Sequence, residues 1–339
     1  MSKKATQIPN HFHFIWMGPK EPFFLIVAIQ SVLLRCKGAK VTLWVDQDNN
    51  PSPEIDTLKK NKHFSIRKID LRHFVDQIED ETVKKVITDN FDIVGVKSNT
   101  AKKQPTKPVE RSRSNLLRYL ILYLHGGVYL DADTIVLKDL KPLLDANSGF
   151  IGKENAAWPI AKREQLFHRI FWGPILEIVR FIAIQLPFGY RLNPLYAFLS
   201  SASENNAVLG FTAKHNYLFE CFDYISKMDK NEIIKSLRLG PFLLQRVSRT
   251  YVKGDLNTYA PRYFYPYGPL ISEHFFKKRK NVRPVAEYMI DDDTYVIHWG
   301  ASSKFLNEFG KQDILKRATE SVFTYLESEV IKANSASEA

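Results

Sequence analysis

The order of predicted secondary structure near the N-terminus is the feature that most constrains the fold. Residues 11–16 (HFHFIW) and 41–46 (VTLWVD) are apolar runs typical of buried strands. Between them, Pro22 begins a helical pattern that continues to about Arg35 and ends before Gly38. Two strands joined by a helix usually pair in parallel. The sequence therefore predicts a Rossmann-like α/β sheet.

The composition limits the remaining possibilities. The 339 residues are 45% hydrophobic and 25% charged, which excludes wholesale disorder, a collagen-like fibre and a multi-span membrane protein. Cys36 and Cys221 are the only cysteines and form no CxxC motif, so we expect a reducing, cytoplasmic compartment. The first ten residues lack the apolar run of a signal peptide.

The chain is basic, with 48 Lys and Arg against 37 Asp and Glu, a formal net charge of +11. A surplus of this size indicates anionic partners such as phosphates, a membrane surface or nucleic acid. No nucleic-acid-binding motif accompanies the basic patches, which argues against nucleic acid.

One apolar segment permits two interpretations. Pro174 and Pro187 enclose residues 175–186, which as a helix would reach about 18 Å, well short of a bilayer core. Glu177 and Arg180 share one side, opposite a wide apolar arc, and four basic residues precede the segment: Lys162, Arg163, His168 and Arg169. The helix lies either on an anionic membrane or against the protein core or a second subunit.

The sharpest chemical feature is the pair Asp131 and Asp133. A strand is predicted over 128–137, after a helix over 115–124, while residues 98–113 are expected to form an exposed loop. Side chains two apart on a strand point to the same side. Two neighbouring carboxylates repel each other unless a cation lies between them, and oxygen ligands suit Mg²⁺ or Mn²⁺. The pair therefore predicts a metal site.

The segment Asn115–Asp133 (NLLRYLILYLHGGVYLDAD) resembles the core of a family of DxD-motif glycosyltransferases. The family includes the initiating mannosyltransferases of fungi and the catalytic domains of clostridial glucosylating toxins. The earlier stretches Ile8-Pro9 and His13–Pro19 (HFIWMGP) are similar to the family's first strand. The resemblance implies a GT-A fold, a Rossmann-like mixed sheet flanked by helices, and transfer that retains the configuration at the anomeric carbon.

The resemblance also implies a single GT-A domain over residues 1–333. We expect a nucleotide-sugar-binding half over residues 8–140 and an acceptor half over 141–310, with a helical insertion at about 160–200. A C-terminal helix over 311–333 and a disordered tail over 334–339 would follow.

Individual roles follow from positions that match the family pattern. Trp16 would stack on the nucleobase, although a core tryptophan is the alternative. Arg118 would hold sugar and phosphate oxygens, since a guanidinium suits bidentate contacts, although a helix-surface salt bridge is the alternative. Asp131 would contact the ribose, the sugar and the metal. Asp133 would ligate the metal directly.

Asn115 departs from the pattern, because the family has aspartate there. An amide can hydrogen-bond sugar hydroxyls but cannot act as a carboxylate nucleophile. We therefore expect Asn115 to position the donor, within a catalytic group formed with Arg118 and Asp131. Further along, His298 would complete the metal shell unless it is structural, and Ser302 or Lys304 would contact the diphosphate.

These observations predict a metal-dependent hexosyltransferase. The donor would be a nucleoside-diphosphate sugar, with UDP-sugars favoured over GDP-mannose and Mn²⁺ or Mg²⁺ as cofactor. The acceptor would be a hydroxyl of a glycan, a glycolipid or a protein, with the enzyme cytoplasmic and able to bind the inner face of a membrane. The alternative is a basic membrane- or nucleic-acid-binding protein on a glycosyltransferase-like scaffold with weak or no activity.

Overall fold

The computed structural model describes residues 7–18, 22–46, 52–90, 107–156, 167–234, 238–267, 272–300 and 321–337. Seven strands form the main sheet in the order β3-β2-β1-β4-β7-β6-β8, and β5 pairs with β9 in a separate two-stranded sheet. The strands are β1 His11–Trp16, β2 Lys40–Val45, β3 Phe64–Lys68, β4 Gly127–Leu130, β5 Thr134–Val136, β6 Gly149–Ala156, β7 Ser201–Phe211, β8 Leu256–Tyr259 and β9 Val296–His298.

The strand directions confirm the predicted α/β class. Strands β1, β2, β3 and β4 run parallel, whereas β7 is antiparallel to both β4 and β6. The parallel pairing of β1 with β2 is the one expected from the strand–helix–strand order at the N-terminus. Strand β7 lies between β4 and β6 and forms hydrogen bonds with both, so it joins the parallel strands β1 to β4 to the rest of the sheet.

Helices cover the sheet and fill the connections. In chain order they are α1 Phe23–Arg35, α2 Pro53–Leu58, α3 Leu71–Asp76, α4 Glu81–Asp89, α5 Lys107–His125, α6 Lys141–Ala146, α7 Gly173–Gln185, α8 Asn193–Leu199, α9 Asn216–Ser226, α10 Lys230–Ile233, α11 Pro241–Thr250, α12 Pro261–Phe264, α13 Arg283–Met289 and α14 Val322–Ser337.

The core lies on both faces of the main sheet. Side chains alternate along a strand, so Phe14 of β1 and Val128 of β4 pack into one apolar cluster with α1. Ile15 and Tyr129 face the opposite cluster, which α5, α9 and α11 cover. Two covered faces explain why the strands read as continuous apolar runs rather than alternating ones.

Helix α5 begins earlier than the sequence suggested. Residues 107–113 were expected in an exposed loop, but they are helical, and the rest of that predicted loop, 98–106, lies outside the described residues. Pro108 falls in the first turn, where a proline is tolerated because its nitrogen needs no helical partner. Arg113 is buried because its guanidinium pairs with Asp46 at 3.5 Å, and both side chains are almost fully enclosed. Such a distant partner cannot be seen in local sequence.

The C-terminal helix α14 also differs from the prediction. It runs from Val322 to Ser337, so residues 334–337 are helical rather than a disordered tail. Phe323 packs edge-on against Phe23 of α1, with ring centroids 5.8 Å apart, which anchors the start of the helix on the core. The predicted helical residues 311–320 lie outside the described part of the chain.

The connection between β6 and β7 is helical where the structure describes it. A π-helical turn, His168–Trp172, leads into α7, and a short 3-10 turn, Gly189–Leu192, leads into α8. Among the described residues, no helix combines the length and apolarity needed to cross a bilayer. Cys36 and Cys221 are both buried free thiols.

Candidate active site

Asp131 and Asp133 lie in a turn rather than on a strand. The predicted strand over 128–137 divides into β4 and β5, which belong to different sheets, and the two acids lie between them. The turn is closed by the Thr134 hydroxyl, which donates to the Asp131 carbonyl at 2.8 Å. Local sequence did not predict the break because β5 is defined by its pairing with β9, far along the chain.

The turn and strand β9 bring together three side chains of types that can ligate a metal. The candidate ligand atoms, one from each side chain, lie within 4.8 Å of one another in Asp131, Asp133 and His298. Among the described residues, this is the one group of three or more His, Cys, Asp or Glu side chains that could hold a metal ion. His298 is directly opposite Thr134 in the β5–β9 pairing. Its Nε2 is 3.4 Å from Asp133 Oδ1, while its Nδ1 is buried with no hydrogen-bond partner. Two carboxylates and an imidazole whose Nδ1 has no hydrogen-bond partner fit a divalent cation.

The charges of this group are strongly coupled. Burial alone would lower the pKa of His298, but the nearby Asp133, Glu154 and Asp131 carboxylates outweigh it and raise that pKa to about 9. Burial and the charge of Asp133 raise the pKa of Asp131, against the opposing effects of Arg118 and His298. A divalent ion bound here would replace the His298 proton as the positive charge among these carboxylates, because a metal-ligating imidazole is neutral.

Arg118 is buried beside Asp131, so a salt bridge on the helix surface is excluded. Its Nη1 lies 3.1 Å from Asp131 Oδ1 and donates to the carbonyl oxygen of Asn206 at 2.6 Å. The guanidinium carbon lies 4.4 Å from the centroid of the Tyr129 ring. Tyr129 in turn donates its hydroxyl proton to Asp131 Oδ1 at 2.7 Å. These contacts fix Arg118 and Asp131 in one orientation.

Asn115 lies one turn before Arg118 on α5 and joins the same network. Its Oδ1 accepts a hydrogen bond from Asn206 Nδ2 at 2.8 Å. Asn206 on β7 therefore contacts both α5 residues, one through its side chain and the other through its backbone. The side chain of Asn115 is buried, so its amide oxygen is committed to the framework of the site.

Other predicted site residues are less closely connected. Trp16 ends β1, is half-buried, and packs edge-on against Phe24 with ring centroids 6.4 Å apart. The structure therefore leaves both interpretations of Trp16 open. Ser302 and Lys304 lie outside the described residues.

Glu154 is a charged neighbour that the sequence analysis missed. It lies on β6, and Asn205 of β7 donates an amide hydrogen bond to its Oε2. Burial raises the pKa of Glu154, as does the charge of Asp133, while His298 and Asn205 lower it. Finding this residue required the pairing of β6 with β7, whose register shifts after Ile151. No local motif marks it.

Part of the chain is similar to a known protein family. The family model described as a glycosyltransferase sugar-binding region containing a DXD motif matches residues 23–150. The subversion of eukaryotic traffic protein A of Legionella pneumophila subsp. pneumophila (strain Philadelphia 1) is 24% identical over 159 residues, which are 44% of this chain and 20% of that protein. The chain thus spans about a fifth of the length of that relative.

Solved structures of glycosyltransferases are also similar. Mouse xyloside xylosyltransferase 1 is 10% identical with a TM-score of 0.47, covering 86% of this chain and 98% of that one. The galactosyltransferase LgtC, bound to donor and acceptor sugar analogues, is 12% identical with a TM-score of 0.45, covering 91% and 94%. The family model matches residues 23–150, which contain Arg118 and the Asp131–Asp133 turn, so this part of the chain is similar to the DXD-motif glycosyltransferases.

Proposed function

We propose that the protein transfers a sugar, with retention of configuration, from a nucleoside-diphosphate sugar to an acceptor hydroxyl. The observation that carries this proposal is the convergence of Arg118, Asp131, Asp133 and His298 in one site. The acceptor would be a glycan, a glycolipid or a protein. Residues 8–140 would bind the donor and residues 141–310 the acceptor.

Asp131, Asp133 and His298 would hold the divalent metal. Carboxylate oxygens suit Mg²⁺ and Mn²⁺, and the imidazole favours Mn²⁺ of the two because nitrogen ligands suit transition metals. When bound, such an ion supplies positive charge against the negative charge that develops on a departing diphosphate.

Arg118 would supply a second, permanent positive charge to the donor. Its contacts with Asp131, Asn206 and the Tyr129 ring hold the guanidinium in place before substrate arrives. Preorganised charge of this kind stabilises a transition state without reorganisation during the reaction. Trp16 would stack on the base of the donor.

The retaining outcome would follow a front-side route. Asn115 provides no carboxylate, because its side chain is an amide, and its oxygen accepts a hydrogen bond from Asn206. In this route the leaving phosphate oxygen takes the proton of the acceptor hydroxyl as the new glycosidic bond forms on the same face. The sugar would pass through a transition state with oxocarbenium character.

A donor panel tests the proposal directly. We expect UDP-sugars, and less strongly GDP-mannose, to raise the thermal unfolding temperature in the presence of Mn²⁺ but not in EDTA, because ligand binding to the folded state stabilises it. The same panel should identify the donor that is hydrolysed. Binding to oligonucleotides or vesicles, with no metal-dependent shift for any donor, would instead support a scaffold protein without activity.

Asn115→Asp tests the position that departs from the family pattern. The Asn206 amide can still donate to an aspartate, so we expect the variant to fold. Activity should remain within about tenfold for the best donor, with a changed order of donor preference, since the substitution adds a charge beside Arg118. Rates for each donor, compared with those of Asn115→Ala, measure this. A gain of about a hundredfold for every donor would show instead that the site lacks a carboxylate.

A further inference from the structure

We propose that the helical segment 167–198 binds the protein to an anionic lipid surface. Twelve large apolar side chains are exposed in the described part of the chain. Ten of them lie within the segment, and the remaining two are Val252 and Tyr288. The ten within the segment form what we call the apolar face: Phe167, Ile170, Phe171, Ile175, Ile178, Phe181, Ile182, Phe188, Leu195 and Phe198. Exposed apolar residues are ordinarily scattered, and a concentration of this kind marks an interaction surface.

The helical spacing shows that the exposure belongs to a continuous surface. Within α7, Ile175, Ile178 and Ile182 follow one another at steps of three and four, the spacing of one α-helix face, and the π-helical turn before α7 carries the exposed Ile170 and Phe171. Leu176 and Ala183 of α7 are fully buried and pack inward. Helix α7 therefore has one apolar side toward the core and a second toward solvent, and its 13 residues make it about 20 Å long. A helix too short to cross a bilayer can still lie along its surface.

Basic residues adjoin the apolar face. Lys277 donates to the carbonyl of Ile184, near the end of α7, and Arg279 donates to the carbonyl of Pro187 at 2.8 Å. These bonds pack the run 277–280 (KKRK) against the segment, with Lys278 and Lys280 exposed. Glu177 is the one acid between residues 167 and 198, and it pairs with Arg180 at 3.3 Å.

Charge complementarity selects a lipid surface over a second copy of the chain. Lysine and arginine beside an apolar helix face are the combination that attracts anionic headgroups. A two-fold contact through the same face would instead bring two 277–280 runs together, in a protein whose formal net charge is already +11.

Binding to lipid would also position the active site. The segment leads directly into β7, whose Asn206 contacts Arg118 and Asn115. When the protein is bound to the membrane, β7 would lie close to the lipid headgroups, where the hydroxyl of a membrane-borne acceptor lies. This consequence for the acceptor rests on the proposed function, whereas the lipid binding does not.

Co-sedimentation with vesicles tests the inference. We expect the protein to bind vesicles of phosphatidylcholine and phosphatidylserine, to bind pure phosphatidylcholine weakly, and to be released by high salt. The double variant Phe171→Ser, Phe181→Ser should weaken binding at least about tenfold, because it removes two exposed rings that would enter the interface. Val252→Ser, which removes an exposed apolar side chain elsewhere, should bind like the wild type.

A charge variant provides an independent measurement. Lys278→Gln with Lys280→Gln should lower affinity for the anionic vesicles by about tenfold, whereas Lys60→Gln with Lys62→Gln, in the connection before β3, should have little effect. Thermal shifts with donor and Mn²⁺ on the same variants report on the active site separately. Loss of vesicle binding with an unchanged donor shift is the expected pattern.

Three outcomes would overturn the inference. The first is equal binding to neutral and anionic vesicles. The second is wild-type vesicle binding by both the phenylalanine and the lysine variants. The third is no vesicle binding together with a dimer, seen by light scattering, that the phenylalanine variant dissociates, which would assign the apolar face to a second copy of the chain.

Discussion

Asp133→Ala is expected to reduce donor hydrolysis and sugar transfer by about a thousandfold. Asp133 is one of the three grouped candidate ligands, so its removal leaves Asp131 and His298. A metal at this position would contribute several kcal/mol to the stabilisation of negative charge, and a thousandfold change in rate corresponds to about 4 kcal/mol. Steady-state rates with the best donor, at saturating Mn²⁺, measure the effect.

Chelation should have the same consequence as the substitution. EDTA is expected to abolish the activity of the wild type, and added Mn²⁺ should restore it. Asp292→Ala is the matched control, because Asp292 is an exposed acid in the turn before β9. It should retain wild-type activity. Full activity of the wild type in EDTA, or of Asp133→Ala in Mn²⁺, would disprove a metal role for this site.

Gly127→Ala is expected to lower the free energy of unfolding by about 3–5 kcal/mol. Gly127 begins β4 with a φ of +99°, and an added Cβ would lie 2.2 Å from the backbone oxygen of His11. The backbone conformation alone costs about 1–3 kcal/mol for a residue with a side chain, and moving β1 away from β4 adds a similar amount. Urea unfolding measures the difference.

Gly38→Ala separates these two causes. Gly38 also has a positive φ, +69°, but no atom lies within 4 Å of the position that its Cβ would occupy. We therefore expect it to cost only about 1–2 kcal/mol, the backbone contribution alone. Equal destabilisation by the two substitutions would mean that the close contact with His11 is relieved without cost.

Local sequence predicted the N-terminal half of the sheet well because its signals are local. The apolar runs of β1 and β2 and the intervening α1 follow directly from residue patterns. The same approach failed where a distant partner decides the structure. Strand β5 pairs with the distant β9 and so belongs to a different sheet from β4, and Arg113 is buried beside Asp46, far away in sequence.

The candidate site was predictable to a similar extent. The spacing of Arg118, Asp131 and Asp133 identifies the centre of the site, and the structure brings His298 to them as expected. Asn206 and Glu154 could not be assigned places from their surroundings in sequence. Their positions depend on how β6 and β7 align, including the irregularity after Ile151. The catalytic and ligand roles of all these residues stay predictions.

The position of the acidic turn between two sheets has a mechanical consequence. Asp131 directly follows β4 of the large sheet, whereas His298 ends β9 of the small one. An ion held by both would act as a cross-link between segments far apart in the chain, and binding it would hold the small sheet against the large one. In such an arrangement, binding the ion and fixing the small sheet in place are a single event.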